Sequence, residues 1–351
     1  MDICLITGSA GLIGSEASFF FSKKKFKIIG IDNNLRYFFF GKNGSTTWNK
    51  KRLIENCKNY YHYNVDIRNK KKINDIFKKY KNKIKLIIHC AAQPSHDWAY
   101  KDPLIDYEVN SSATFNLLNL TKEYCPESSF IYISTNKVYG DNPNKLQLVE
   151  KEKRYEIKKN HQYYRGIDET MSIDSCVHSF FGASKLSADL FVQEYGKNLG
   201  LNTVCFRAGC LTGPAHSGAE LHGFLSYLIK TILSKKTYNV FGYKGKQVRD
   251  NLHSSDLVNA FWEYHKKPKK GTVYNIGGSR ISNCSIIEAS QLIEKITKIK
   301  PKLNFLKKNR TGDHQWWITN NKKFMKDFPS WKIKHDSKKI IREIIREIIT
   351  K

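Results

Sequence analysis

A short apolar run, ICLIT, breaks into the turn GSAGLIGSEA, which sets Gly8, Gly11 and Gly14 at regular spacing where a helix should begin. A chain that makes this turn needs backbone with no Cβ in the way, for a tight reversal, close approach to an anion, and close packing of helix on strand. An acid, Asp32, ends the next apolar run, KIIGID, where its carboxylate can accept from ribose hydroxyls. Together these features predict a βαβ unit that binds a dinucleotide with its pyrophosphate on the helix N-terminus. The charge of Asp32 repels a 2′-phosphate and favours NAD, while Arg36, one helical turn further on, is the residue that would suit NADP.

The same alternation continues. ICLIT, KIIGID, YYHYNV, KLIIHCA and FIYIST are separated by stretches of helical length, and NTVCFRA follows a helix predicted over GASKLSADLFVQEYGKNLG. That order predicts an α/β fold, a Rossmann-type doubly wound parallel sheet covered by helices on both faces. The reading places a dinucleotide-binding domain at 1–210, with a long polar loop at about 140–178, and a smaller, interleaved substrate-binding region at 211–351. The latter holds helical patterns in FLSYLIKTIL and SIIEASQLIEKITK and an amphipathic terminal helix in KKIIREIIREII. Loops as long as 140–178 in compact domains usually serve function.

Sixty Lys+Arg against 32 Asp+Glu leave a formal charge of +28, a balance that elsewhere signals nucleic acid or anionic membrane. Here the lysines are spread through many short runs with no basic block, so they are read as solvated faces and no nucleic-acid partner is expected. Eight cysteines, at 4, 57, 90, 125, 176, 205, 210 and 284, form no CxxC pair and predict reduced thiols in a cytoplasmic protein. No apolar run is long enough to span a bilayer, and no membrane insertion is expected.

The Gly8-x-x-Gly11-x-x-Gly14 turn, NVDIRN, CAAQ, STNKVYGD, GKQVRDNLHSSDL and YNIGG resemble the extended short-chain dehydrogenase/reductase superfamily, in its nucleotide-sugar epimerases and dehydratases. Several of these stretches, with DNNLRYFFFGKNGSTTWN, look like the CDP-paratose 2-epimerase (CDP-tyvelose epimerase) branch. The resemblance implies NAD as bound cofactor, held by Gly8, Gly11, Ile13, Gly14, Asp32, Asp66, Ile67, Ala91 and Lys185. It implies Thr135 as the hydroxyl that bonds the reacting sugar oxygen, and Lys185 as the lysine on the nicotinamide ribose. It gives Asn110 a structural place. For a nucleotide-sugar substrate it implies Gln93, Arg207, Arg249, Arg310 and Asp313, with guanidinium on diphosphate and carboxylate on ribose. The implied reaction is a redox-neutral epimerisation of a nucleotide-linked sugar in surface-glycan (lipopolysaccharide) synthesis, by a homodimer or tetramer.

One residue departs from that pattern. In HSFFGASK the family's proton-transfer tyrosine, four residues before Lys185, is Phe181. Three readings follow: the base has moved, a related reaction with a weaker proton requirement is catalysed, or the site binds without turning over. A moved base needs a titratable group, and His96 in QPSHDWAY is the favoured one, ahead of Asp97, His178, Tyr163, Tyr164, Asp168 and Glu169. A bland role for His96, as a loop histidine that only hydrogen-bonds, stays open. GPAHSGAELHG has His216 and His222 in no metal-ligand spacing, so no metal is expected. Trp316 and Trp317 suit either stacking on a base or simple core packing.

Overall fold

The structure is a computed structural model that describes residues 1–220, 222–310 and 312–350. Its chain forms two units: residues 1–138, 180–207 and 258–274 make the first, and 139–179, 208–257 and 275–351 the second. The units thus interleave along the chain beyond the division expected near residue 210.

The first unit carries a seven-stranded sheet of β1 (Ile3–Thr7), β2 (Lys27–Ile31), β3 (Tyr60–Tyr63), β4 (Ile84–His89), β5 (Ser129–Thr135), β6 (Asn202–Ala208) and β7 (Thr272–Ile276), in the order β7-β6-β5-β4-β1-β2-β3. Pairing is parallel from β3 to β5, with Leu5 opposite both Ile29 and Ile87, and Ile87 opposite Phe130. Strand order reverses between β1 and β4, the place where doubly wound sheets open a crevice at the carboxyl ends of their strands. The predicted α/β fold is the one observed.

Helices cover the sheet because their apolar residues fall on one face. In the helix Lys70–Tyr80, Ile73, Ile76, Phe77 and Tyr80 are buried, while Lys70, Lys71, Lys72, Lys78 and Lys79 face outward. Asn69 starts it by accepting a hydrogen bond from the Lys72 N–H at 3.0 Å. This lysine run is therefore one solvated face. Leu5, Ile29, Ile87, Leu117, Phe130 and Val192 meet in the core, where full burial of each such side chain contributes about 1.5–3 kcal/mol.

The second unit has its own core, in which Leu228 and Ile229 meet Val240, Ile293, Ile341 and Ile344. The amphipathic terminal helix forms at Ser337–Ile349, with Asp336 accepting from the Lys339 N–H at 2.7 Å. Within the polar segment 140–178, Leu148–Glu150 and Tyr155–Ile157 pair as a short antiparallel ladder that the sequence pattern did not signal. Trp316 and Trp317 are fully buried, Trp317 stacked on Tyr139 and Trp316 donating to Glu156, so they are core aromatics and not a base-stacking surface. All eight cysteines are free, and among the described residues no helix is long and apolar enough to cross a membrane.

Candidate functional site

The glycine turn is as tight as its spacing demands. Gly8 lies at φ +65°, and a Cβ there would come 2.8 Å from the Ala91 N. At Gly14 a Cβ would lie 2.1 Å from the Gly8 carbonyl oxygen. The helix Leu12–Lys23 begins at Gly11 with no side-chain cap and no acid in its first turn, which leaves its N-terminus to an anion. Ile13 is buried on that helix. Asp32 accepts from the Ala10 N–H at 3.0 Å and the Asn34 N–H at 2.7 Å, so it braces the turn as well as ending β2. Burial pushes its carboxyl up, against these backbone donors. A cavity of about 410 Å³ opens beside Asp66 and Ile67, with Arg68, Glu108, Ala113 and Asn116 on its walls. Burial would raise the Asp66 carboxyl, but hydrogen bonds from Arg68 prevail and hold it below its ordinary range. Ala91 donates its N–H to the Thr7 hydroxyl at 3.3 Å.

A glycine cradle, an uncapped helix N-terminus and a ribose-type acid fit a dinucleotide. Substituting Gly14 with Ala should therefore cost about 1–3 kcal/mol of stability, since backbone must shift to admit the methyl, and should abolish NAD retention. The absorbance ratio at 260 and 280 nm of the purified protein, with thermal unfolding, checks both.

Beyond the cradle, the helix Phe180–Lys197 puts Phe181 and Lys185 one turn apart, both buried. Lys185 donates from Nζ to the Ile133 carbonyl at 2.7 Å and lies 4.2 Å from the Tyr132 ring centroid. Burial, opposed by Asp189 and other acidic neighbours, brings it down to about 8. Thr135 ends β5, its hydroxyl accepting from the Lys137 N–H at 3.3 Å. His96 opens the helix His96–Lys101 and sets its ring edge-on to Phe181, centroids 4.9 Å apart.

Two residues expected to touch substrate are occupied inside the first unit. Gln93 is fully buried: it donates to the Ser95 carbonyl at 2.8 Å and to Asp106 at 2.7 Å, and accepts from the Ser95 N–H at 2.6 Å. Its side chain thus shapes the turn that presents His96. Asn110, in a π-helical turn, backs it from both sides, donating to the Gln93 carbonyl and accepting from its N–H. Arg207 is bidentate to Asp189, at 2.8 and 3.1 Å, and Asp189 also accepts from Ser134 at 2.5 Å. The Asp189 network is a feature sequence reasoning missed, because nothing in the pattern of KLSADLF marks its one acid as a buried partner.

In the second unit, Arg249 on the strand Val248–His253 pairs with Asp313, and the Asp313 N–H donates to the Arg310 carbonyl at 3.2 Å. The structure brings the three expected residues together, with the Arg249 charge balanced by Asp313. Three other base candidates, His178, Asp168 and Glu169, make hydrogen bonds within this unit. His178 reaches the Ile173 carbonyl at 2.9 Å, Asp168 accepts from the Thr170 hydroxyl at 2.5 Å, and Glu169 accepts from the Asn275 N–H at 2.6 Å.

The NAD dependent epimerase/dehydratase family matches residues 4–277. A CDP-paratose 2-epimerase of Salmonella typhi is 30% identical over 91% of this chain and 91% of its own. Among solved structures, a UDP-glucuronic acid 4-epimerase from Bacillus cereus, in complex with UDP-glucuronic acid and NAD, has a TM-score of 0.78 at 23% identity over 99% of each chain. A dTDP-glucose 4,6-dehydratase from Bacillus anthracis, in complex with NAD, has a TM-score of 0.77 at 22% identity, covering 100% of this chain and 97% of that one. These two share the fold, and the Salmonella protein aligns with this chain over nine-tenths of both. This chain therefore belongs to the NAD dependent epimerase/dehydratase family, with NAD as its cofactor.

Proposed function

We propose that the chain is an epimerase of a nucleotide-linked sugar, of the CDP-paratose 2-epimerase type, in which His96 performs the proton transfer left open by Phe181. The observation that carries this reading is the contact of the His96 ring with Phe181, which puts a titratable group beside the place of the missing phenol. Support for the sugar type comes from the Salmonella relative. Bound NAD supplies a hydride acceptor and donor, so the overall reaction is redox-neutral. His96 takes the hydroxyl proton from the sugar, and Thr135 holds the oxygen that loses it. Lys185, mostly charged at neutral pH, favours negative charge developing nearby. Arg249 and Arg310 hold the diphosphate and Asp313 the ribose, fixing the sugar by its nucleotide. Phe115, Leu190 and Phe191, exposed on the helices Ala113–Tyr124 and Phe180–Lys197, support a homodimer through those helices. The free cysteines support a reducing, cytoplasmic setting.

Phe181 itself favours a second reading, a catalytically silent binder of NAD and a sugar nucleotide. Proton NMR with CDP-, UDP-, GDP- and dTDP-sugars, CDP-paratose included, separates the two while absorbance follows NADH. Conversion of one sugar to its epimer with no net NADH is the expected result. Loss of water from the sugar would show a dehydratase, and NAD retention with no conversion would favour the silent binder.

A further inference from the structure

A buried ammonium group persists only where something offsets its lost hydration, and Lys185 has few of the usual partners. It is 4% exposed, yet among the described residues it forms no ion pair, and its one hydrogen bond runs from Nζ to the Ile133 carbonyl at 2.7 Å. The acids whose charge reaches it are committed elsewhere. Asp189, one turn along the same helix, accepts from Nε and Nη2 of Arg207, from Ser134 and from Gln193. Asp106 accepts from the amides of Gln93 and Asn110 at 2.7 and 3.0 Å.

What the ammonium does meet is the face of an aromatic ring. Its Nζ lies over the Tyr132 ring, 4.2 Å from the centroid, and Tyr132 is 1% exposed. Other lysines over rings, Lys79 on Tyr63 and Lys101 on Trp98, are exposed, and water screens their attraction. A ring's quadrupole counts most against a cation that has lost its water. The Ile133 carbonyl takes one of three N–H donors, and the ring adds negative potential without an oxygen that would compete with a ligand for the rest. Tyr132 and Ile133 are consecutive on β5, and His89 of β4 lies beside the ring, centroids 5.5 Å apart. Burial, and then the Lys185 charge, push His89 down to about 3, so it stays neutral. Asp189 and Asp106, with the thiols of Cys90 and Cys205, are the other titratable groups that face Lys185.

We propose that Tyr132 is a positioning residue of the cofactor site, whose ring face holds the Lys185 ammonium charged and fixed toward bound NAD. The proposal rests on the reading of Lys185 as the lysine of the nicotinamide ribose. Tyr132 acts through Lys185, from within the core.

NMR of protein carrying lysine labelled with carbon-13 at Cε reads Lys185 directly, its signal assigned by its loss in Lys185→Met. The Lys185 ε-protons should resonate upfield of those of the other lysines, shifted by the ring, and titrate at about 8. Tyr132→Phe keeps the ring and should keep both features. Tyr132→Leu should lose the upfield shift and titrate about one pH unit lower. By calorimetry on nucleotide-free protein, Tyr132→Leu should bind NAD about threefold more weakly than the parent at about pH 7.5 and equally well at about pH 6. A merely structural loss would weaken binding alike at both. Should the leucine variant fail to fold, fluorinated phenylalanines at position 132 keep the ring's shape while weakening its quadrupole, and the midpoint should fall with each fluorine. A midpoint that moves in neither series would overturn the role of Tyr132, even if Lys185→Met abolishes NAD binding. Undiminished NAD binding in Lys185→Met would overturn that role together with the reading it rests on.

Discussion

Replacing His96 with Gln is expected to lower turnover of the epimerised sugar by about 10²–10⁴-fold, the usual contribution of a positioned general base. NAD retention should not change, because the glycine turn and Asp32 are built by β1, β2 and the helix Leu12–Lys23, without His96. Glutamine keeps length and hydrogen bonding but cannot take a proton at neutral pH, so the loss should fall on kcat with KM little altered. Phe181→Tyr in the His96→Gln background should recover part of the rate, since a phenol there sits one turn before Lys185 on the same helix face. A near-normal rate for His96→Gln alone would reject His96 as the base. Equal losses in kcat and NAD retention would assign it a structural role.

What the sequence discloses about this molecule depends on how far apart the cooperating residues lie. The turn of Gly8, Gly11 and Gly14 is legible because its requirement is local backbone, and β1, β2 and their helix form where the apolar periodicity places them. Phe181 and Lys185 are legible as a helical pair. Arg207 looks like a crevice residue, since it closes a strand of the parallel sheet, yet its guanidinium is taken by Asp189 on the preceding helix. No periodicity could distinguish Asp189 from a solvated acid, because burial is decided by what packs above it. Gln93 is partly legible for a related reason: the turn after β4 marks it as a substrate-binding candidate, but does not show that its amide satisfies the backbone of that same turn.

The buried carboxylate of Asp189 should prove one of the most costly single side chains to remove. It is fully inaccessible and accepts from Ser134, Gln193 and both Nε and Nη2 of Arg207. Asp189→Ala would leave that guanidinium buried without its countercharge, a loss of about 3–5 kcal/mol, measurable by chemical denaturation. Replacing both partners with apolar side chains of similar volume, Asp189→Leu with Arg207→Met, should restore most of the stability, since desolvating an ion pair offsets much of its attraction. The same acid acts on the site. Burial lowers Lys185 and Asp189 is the strongest of the charges opposing that shift, so removing the carboxylate must push Lys185 further below about 8. Activity should then fall with rising pH earlier in Asp189→Asn, which keeps the Arg207 charge, than in the parent, because Lys185 loses its charge sooner. KM in the double variant separates two roles for Arg207. An unchanged KM at pH values where Lys185 remains charged would leave Arg207 a structural partner of Asp189, whereas a large rise without loss of fold would return it to the substrate.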